Sequence, residues 1–163
     1  MPAEELVAAL TEAAGAAFAG LFERTGERFY YCTLVTVGQG LCPYVSAWSW
    51  EALDRHPEAE RSWVKWDQAS SPYHAEGYDE LFEPVRRALG PRDLVDDDAV
   101  LDAMEAAMRE LDRRGLFGTG AARDAVVVLA ELIPPVGDNT RRARRLNPPA
   151  ALTVWLEEAA EPE

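Results

Sequence analysis

One stretch, Arg28-Phe29-Tyr30-Tyr31-Cys32-Thr33-Leu34-Val35-Thr36-Val37, constrains the fold more than any other. Seven of its ten residues are aromatic or β-branched, types that lose rotamer freedom in a helix and pack well on a pleated sheet. Apolar residues fall on both of its faces, so it belongs in the centre of a sheet, covered on both sides. Gly38-Gln39-Gly40 turns the chain into a second strand over residues 41–47. Pro43 has no N–H for a ladder, which favours an outer position for that strand.

The flanking segments read as helices. Over residues 3–23, Leu6, Leu10, Ala13, Ala14, Ala17, Phe18 and Leu21 recur at helical spacing, and Gly26 suits the left-handed stop. Ser49 is placed to cap a short helix over 50–56, with Trp48 and Leu53 at the spacing of a hydrophobic staple. Residues 62–67 suggest a third strand, on which Trp63 and Trp66 point to opposite faces. After a loop over 67–76, residues 77–89 read as a helix that Pro84 kinks. Asp96-Asp97-Asp98 opens another, with Val100, Leu101, Met104, Met108 and Leu111 inward and Gly115 as its stop.

Residues 116–123 read as loop and 124–133 as a buried strand ended by Pro134-Pro135. Residues 136–146 are polar and arginine-rich. Asn147 is expected to cap a terminal helix beginning at Pro148 and docked by Leu152, Trp155 and Leu156. This order predicts an α+β fold: a mostly antiparallel sheet of about four strands, with an N-terminal helix and further helices packed on it. At 163 residues a single domain is expected over 1–163, its last few residues frayed.

Charge bounds the partners. The formal net charge of -13 opposes binding to nucleic acid, whose affinity comes from Lys and Arg on phosphates. It suits solubility or the steering of a basic partner. Met1-Pro2-Ala3-Glu4-Glu5 is acidic where a secretory signal is basic, and no contiguous apolar run reaches about 18 residues. A cytoplasmic protein without a membrane segment is expected. Cys32 and Cys42 lie on one hairpin with residue 42 placed opposite 36, leaving them about 13 Å apart by strand rise. A disulfide needs Cα atoms within about 7 Å, so two free buried thiols are predicted.

No catalytic constellation stands out, and the question of enzyme activity stays open with a leaning against it. His56 and His74 lie in polar, loop-like surroundings, each a surface imidazole on the simpler reading. Neither cysteine nor histidine has zinc-ligand spacing, and neither a metal nor a cofactor is expected. The Asp96 run suits helix capping better than calcium binding. Gly118-Thr119-Gly120 lacks the Lys and the following helix of a phosphate loop, and reads as a turn.

Two features are less ordinary. Arg141, Arg142, Arg144 and Arg145 form the one basic cluster, which either pairs with acidic neighbours such as Glu157, Glu158 or the Asp96 run, or holds phosphate, an acidic peptide or RNA. Four of the five tryptophans fall between residues 48 and 66. Trp50 and one of Trp63 and Trp66 are candidates for exposure, and exposed Trp is enriched at binding hot spots.

Ala13-Ala14 with Ala17-Phe18, Gly26-Glu27-Arg28-Phe29-Tyr30-Tyr31, Gly40-Leu41, Ser49 to Leu53 in a Ser/Thr-x-Glu-x-Leu arrangement, Lys65-Trp66, Gly115-Leu116-Phe117-Gly118 and Arg145-Leu146-Asn147-Pro148 form a set of motifs. Together they resemble the bacterial family known as domain of unknown function 4303. The likeness spans nearly the whole chain. It implies an uncharacterised cytoplasmic bacterial protein and carries no reaction with it.

Two functional expectations follow. The first is a non-enzymatic factor that binds another protein, comparable in size and charge to immunity proteins of toxin systems, using Trp50, Trp63 and Trp66. The alternative is a small-molecule-binding protein or enzyme with a pocket between the sheet and the 67–76 loop, where His74 and the arginines of the 141–145 cluster supply the polar groups.

Overall fold

The computed structural model describes residues 3–163. Met1 and Pro2, the start of the segment read as lacking a secretory signal, lie outside the described residues. A mixed three-stranded sheet in the order β2-β1-β3 forms the centre. Strands β1 (Phe29–Thr36) and β2 (Tyr44–Ser49) are antiparallel, whereas β1 and β3 (Val127–Leu132) are parallel. The sequence predicts about four strands, mostly antiparallel; the sheet instead has three and is mixed. β1 is the central strand and its residues from Tyr30 to Thr36 are buried. β2 is an edge strand beginning just after Pro43, and Val35 pairs with Tyr44, one residue on from the expected register. Cys32 is buried and Cys42 half-buried, and both thiols are free. Burial pushes the Cys42 thiol up to about 11 and Cys32 higher still, so neither is an activated nucleophile.

The missing fourth strand is a helix. Residues 58–64 form α3 (Glu58–Val64), after α2 (Trp50–Asp54), and the chain turns through 65–67. Trp63 and Trp66 are three apart, a spacing that serves a helix as well as a strand, and Pro57 followed by Glu58 and Glu60 favours a helix start. The expected cap of α2 is present: Ser49 Oγ accepts from the Ala52 N–H at 2.9 Å. Ser49→Ala is expected to cost about 1 kcal/mol of stability, read by urea unfolding. A cost near zero would mean that water replaces the hydroxyl.

Helix α1 (Ala3–Thr25) buries Leu6, Leu10, Ala13, Ala14, Ala17, Phe18 and Leu21, the stripe read from the sequence. Its length and mean hydropathy of 1.4 are enough on their own to cross a membrane, but its apolar face lies in the core. It packs on α6 (Asp97–Arg113), and this pair covers the sheet face that carries Cys32, Leu34, Val45, Ala47, Val128 and Ala130. α4 (Tyr78–Leu81) and α5 (Glu83–Leu89) also pack against α1. Pro84 starts α5, so residues 77–89 are two short helices and not one kinked helix.

Asp96 caps α6, accepting from the N–H groups of Asp98 and Ala99. Asp97 does something the sequence reading missed: it accepts from Gln39 N–H at 2.7 Å and Gly40 N–H at 3.0 Å. The β1–β2 connection is thereby tied to the start of α6. A Cβ on Gly40 would lie 2.4 Å from the Arg92 carbonyl oxygen, and its φ is 67°, so only glycine fits.

α7 (Ala121–Asp124) lies where loop was expected and leads into β3, and α8 (Gly137–Leu146) takes up the arginine-rich segment. α8 protects the free edge of β3. The Asn139 side chain bonds both N–H and C=O of Leu132, and Asn147 does the same for Val128. These two amides stand in for a neighbouring strand, which removes an open edge from pairing with other chains. Asn147 is committed here and does not cap α9 (Pro149–Glu158), whose cap position is Pro148.

Candidate functional site

The sheet has one apolar face and one polar face. Alternation puts Tyr31, Thr33 and Val35 on the side opposite α1 and α6, beside Tyr44, Ser46 and Trp48 of β2 and Val127, Leu129 and Glu131 of β3. The 66–75 segment closes over this face through hydrogen bonds. Trp48 Nε1 donates to the Asp67 carbonyl at 2.8 Å, Ser46 Oγ to the Gln68 carbonyl at 2.8 Å, and Ser71 Oγ to the Ala47 carbonyl. Tyr44 Oη donates to Gln68 Oε1 at 3.1 Å.

Glu131 sits within this face at 8% exposure. Tyr31 Oη donates to its Oε2 at 2.7 Å and Thr33 Oγ1 to the same oxygen at 2.6 Å. Burial raises its pKa, and these two donors only partly offset the cost of desolvating a carboxylate. Burial and the neighbouring Glu131 charge together hold the Tyr31 phenol well above its ordinary range. Sequence reading passed over Glu131 as part of an apolar run. The signal was there: one carboxylate in a strand otherwise fit for a core.

Glu131 lines a cavity of roughly 310 Å³ between the polar face, residues 66–69, α8 and the C-terminal segment. Tyr31, Trp66 and Trp155 supply aromatic wall, and Asp67 and Glu161 are the other acidic residues of the lining. Among the described residues no Lys, Arg or His lines it. The sequence reading placed a pocket between the sheet and the 67–76 loop. A cavity lies at the start of that loop, but its polar groups are acidic and differ from those expected. His74 is exposed and outside the lining. Its Nδ1 lies 3.2 and 3.1 Å from the carbonyl and Oε1 of Gln68, with the ring edge-on to Tyr44.

The arginine cluster does not converge on one point. Arg141 pairs with Asp138, Arg144 with Glu163 and Arg145 with Glu105 in a two-point contact at 2.7 and 2.9 Å. Their carboxylate partners are other than Glu157, Glu158 or the Asp96 run. Arg142 is buried, and its Nε and Nη1 have no hydrogen-bond partner among the described residues. The structure gives no physical account of those two atoms.

The tryptophans divide by role. Trp48 is fully buried. Trp50 stacks on Tyr30 at 4.3 Å between centroids, and the Lys65 ammonium lies over both Trp50 and Trp66. Lys65 and Trp66 Nε1 both donate to Glu158, at 2.9 and 2.7 Å, which lowers the Glu158 pKa and ties the segment to α9. Trp50 and Trp66 thus have structural partners. Trp63 is 82% exposed on α3, a helix that buries no residue. His56 packs its ring on Trp48 and lies 3.8 Å from Glu60. Among the described residues no group of three or more His, Cys, Asp or Glu is placed to hold a metal ion.

Fold and site together define a small α+β protein with a mixed sheet, a partly open acidic cavity on one face and an exposed Trp63 on α3. The chain belongs to the family described as Domain of unknown function (DUF4303), whose pattern matches residues 10–148. No curated protein and no solved structure matches it.

Proposed function

We propose that this protein is a non-enzymatic, cytoplasmic accessory factor of the immunity-like kind that binds a second protein through the corner carrying Trp63. The observation that carries this reading is the indole itself. An 82% exposed Trp on a helix with no buried residue contributes nothing to the core and keeps a large apolar area in water. Asp54, Glu58 and Glu60 are exposed in the same α2–α3 segment, Asp54 lying 3.5 Å from Arg61, and the chain as a whole carries -13. The complementary partner offers an apolar slot for an indole within a basic rim, and charge speeds their encounter.

The arginine cluster adds support by default. Three of its members are already paired with carboxylates and the fourth is buried, which leaves little free positive charge for RNA. Trp63→Ala is expected to leave stability within about 0.5 kcal/mol of wild type. It should weaken the complex about tenfold or more, the range of a central hot-spot residue. Parallel capture with tagged wild-type and variant chains, then titration of the purified partner, measures both. A partner held equally by the two chains, or none held by either, overturns the reading.

A further inference from the structure

The cavity on the polar face raises a separate question, because protein binding at Trp63 makes no use of it. We infer that it binds a small organic cation, an alkylammonium or alkylguanidinium group, with Glu131 Oε1 as the anchoring acceptor and Trp66, Tyr31 and Trp155 around the alkyl stem.

Size sets the ligand class first. At roughly 310 Å³ the cavity lies near the lower end of small-molecule sites and admits a short alkyl chain with a charged head. Electrostatics sets the sign. The lining residues include Glu131, Asp67 and Glu161 and, among the described residues, no basic one, so the local charge disfavours an anion. A bare divalent ion is a poor fit, because no three of these acids come together as metal ligands. An elongated organic cation meets separated carboxylates and aromatic walls at once, gaining ion pairing and cation–π contact.

The hydrogen-bond inventory places the head group. Asn139 spends its amide on Leu132, and Thr140 Oγ1 donates to the Glu161 carbonyl. Asp67 already accepts from the Ala69 N–H and the Ser70 hydroxyl. In Glu131 both protein donors fall on Oε2, and Oε1 accepts from no described residue. An oxygen of a nine-tenths buried carboxylate, left open in a cavity of its own sign, is a built acceptor for a charged donor.

The test titrates the full chain with butylguanidinium and butylammonium, following indole fluorescence and calorimetry. Butanol and butyrate serve as neutral and anionic controls. Saturable binding of both cations, at least about tenfold tighter than either control, is expected. Glu131→Gln keeps an acceptor for Tyr31 and Thr33 and removes the charge, so it should weaken the cations about tenfold or more. Glu161→Gln, on the exposed tail, should weaken them severalfold and serves if the first variant fails to fold. Trp63→Ala should change nothing here, which separates this site from the protein-binding corner. Equal binding of butanol, no saturable binding of either cation, or unchanged affinity in both carboxylate variants overturns the inference.

Discussion

Arg123→Ala is expected to lower the unfolding free energy by about 3–5 kcal/mol, the cost of stripping one partner from a buried ionic network. Arg123 is buried in the short helix α7 and uses all three of its guanidinium nitrogens. Nε donates to Asp112 of α6 at 2.6 Å, and Nη1 to the Val126 carbonyl at 2.6 Å. Nη2 donates to the Leu146 carbonyl at 3.0 Å and to Asn147 Oδ1 at 3.1 Å. One side chain thus joins α6, the start of β3 and the end of α8. Truncation leaves two carbonyls, an amide oxygen and a carboxylate short of a donor. Arg123→Lys should recover only part of the loss, since a single ammonium cannot reproduce the planar fork. Asp112→Asn should cost less, because Asp112 is partly solvated and water replaces some of its interaction. Urea unfolding with an unchanged m-value reads the difference directly. A loss below about 1 kcal/mol for Arg123→Ala would show that the network relaxes onto water.

Arg123 also shows where sequence reading reached its limit. The segment before β3 reads as loop because Gly118, Thr119 and Gly120 dominate it, and nothing local marks its arginine as buried. Signals that act within a few residues were legible. The α1 stripe, the Ser49 and Asp96 caps, the central placement of β1 and the edge position of β2 all rest on neighbours in sequence. Contacts across the chain were not. Parallel pairing of Tyr31 with Val127 joins residues far apart, and no turn residue announces it. Asp97 looks like any first-turn carboxylate until the 38–40 turn is folded against it. Asn147 carries the pattern of a helix cap, yet the bare edge of β3 claims its amide first. At the candidate site, Trp63 was one of several tryptophans named. Its isolation depends on Trp50 and Trp66 being held by Tyr30, Lys65 and Glu158, which local sequence does not disclose.

Glu131→Gln is expected to stabilise the free protein at pH 8 by on the order of 1 kcal/mol or more, since each unit by which burial raises a carboxyl pKa costs about 1.4 kcal/mol once the group is charged. The pH dependence fixes the cause. Burial holds the folded-state pKa of Glu131 above its unfolded value, so the native state binds more protons than the unfolded chain in that interval. Its contribution to stability therefore falls as pH rises above about 4.3, the ordinary glutamate value. Glu27, Glu105 and Glu158 behave oppositely. Burial raises Glu27, but bonds from Arg55, Ser49 and Tyr73 outweigh it; Arg145 lowers Glu105, and Lys65 and Trp66 lower Glu158. Their contributions are lost as pH falls through their folded values. Subtracting variant from wild type cancels those shared terms. The difference should be small at pH 4 and grow toward pH 8, as read by unfolding at each pH. The charged groups facing Glu131 are Asp67 from the covering segment and Glu161 from the tail, with the Tyr31 and Tyr44 phenols on the sheet, so no local cation reverses the sign. A difference that stays flat from pH 4 to 8 would refute the burial argument. A rising one would show that the fold gives up stability to keep a buried carboxylate where a neutral amide would serve packing as well.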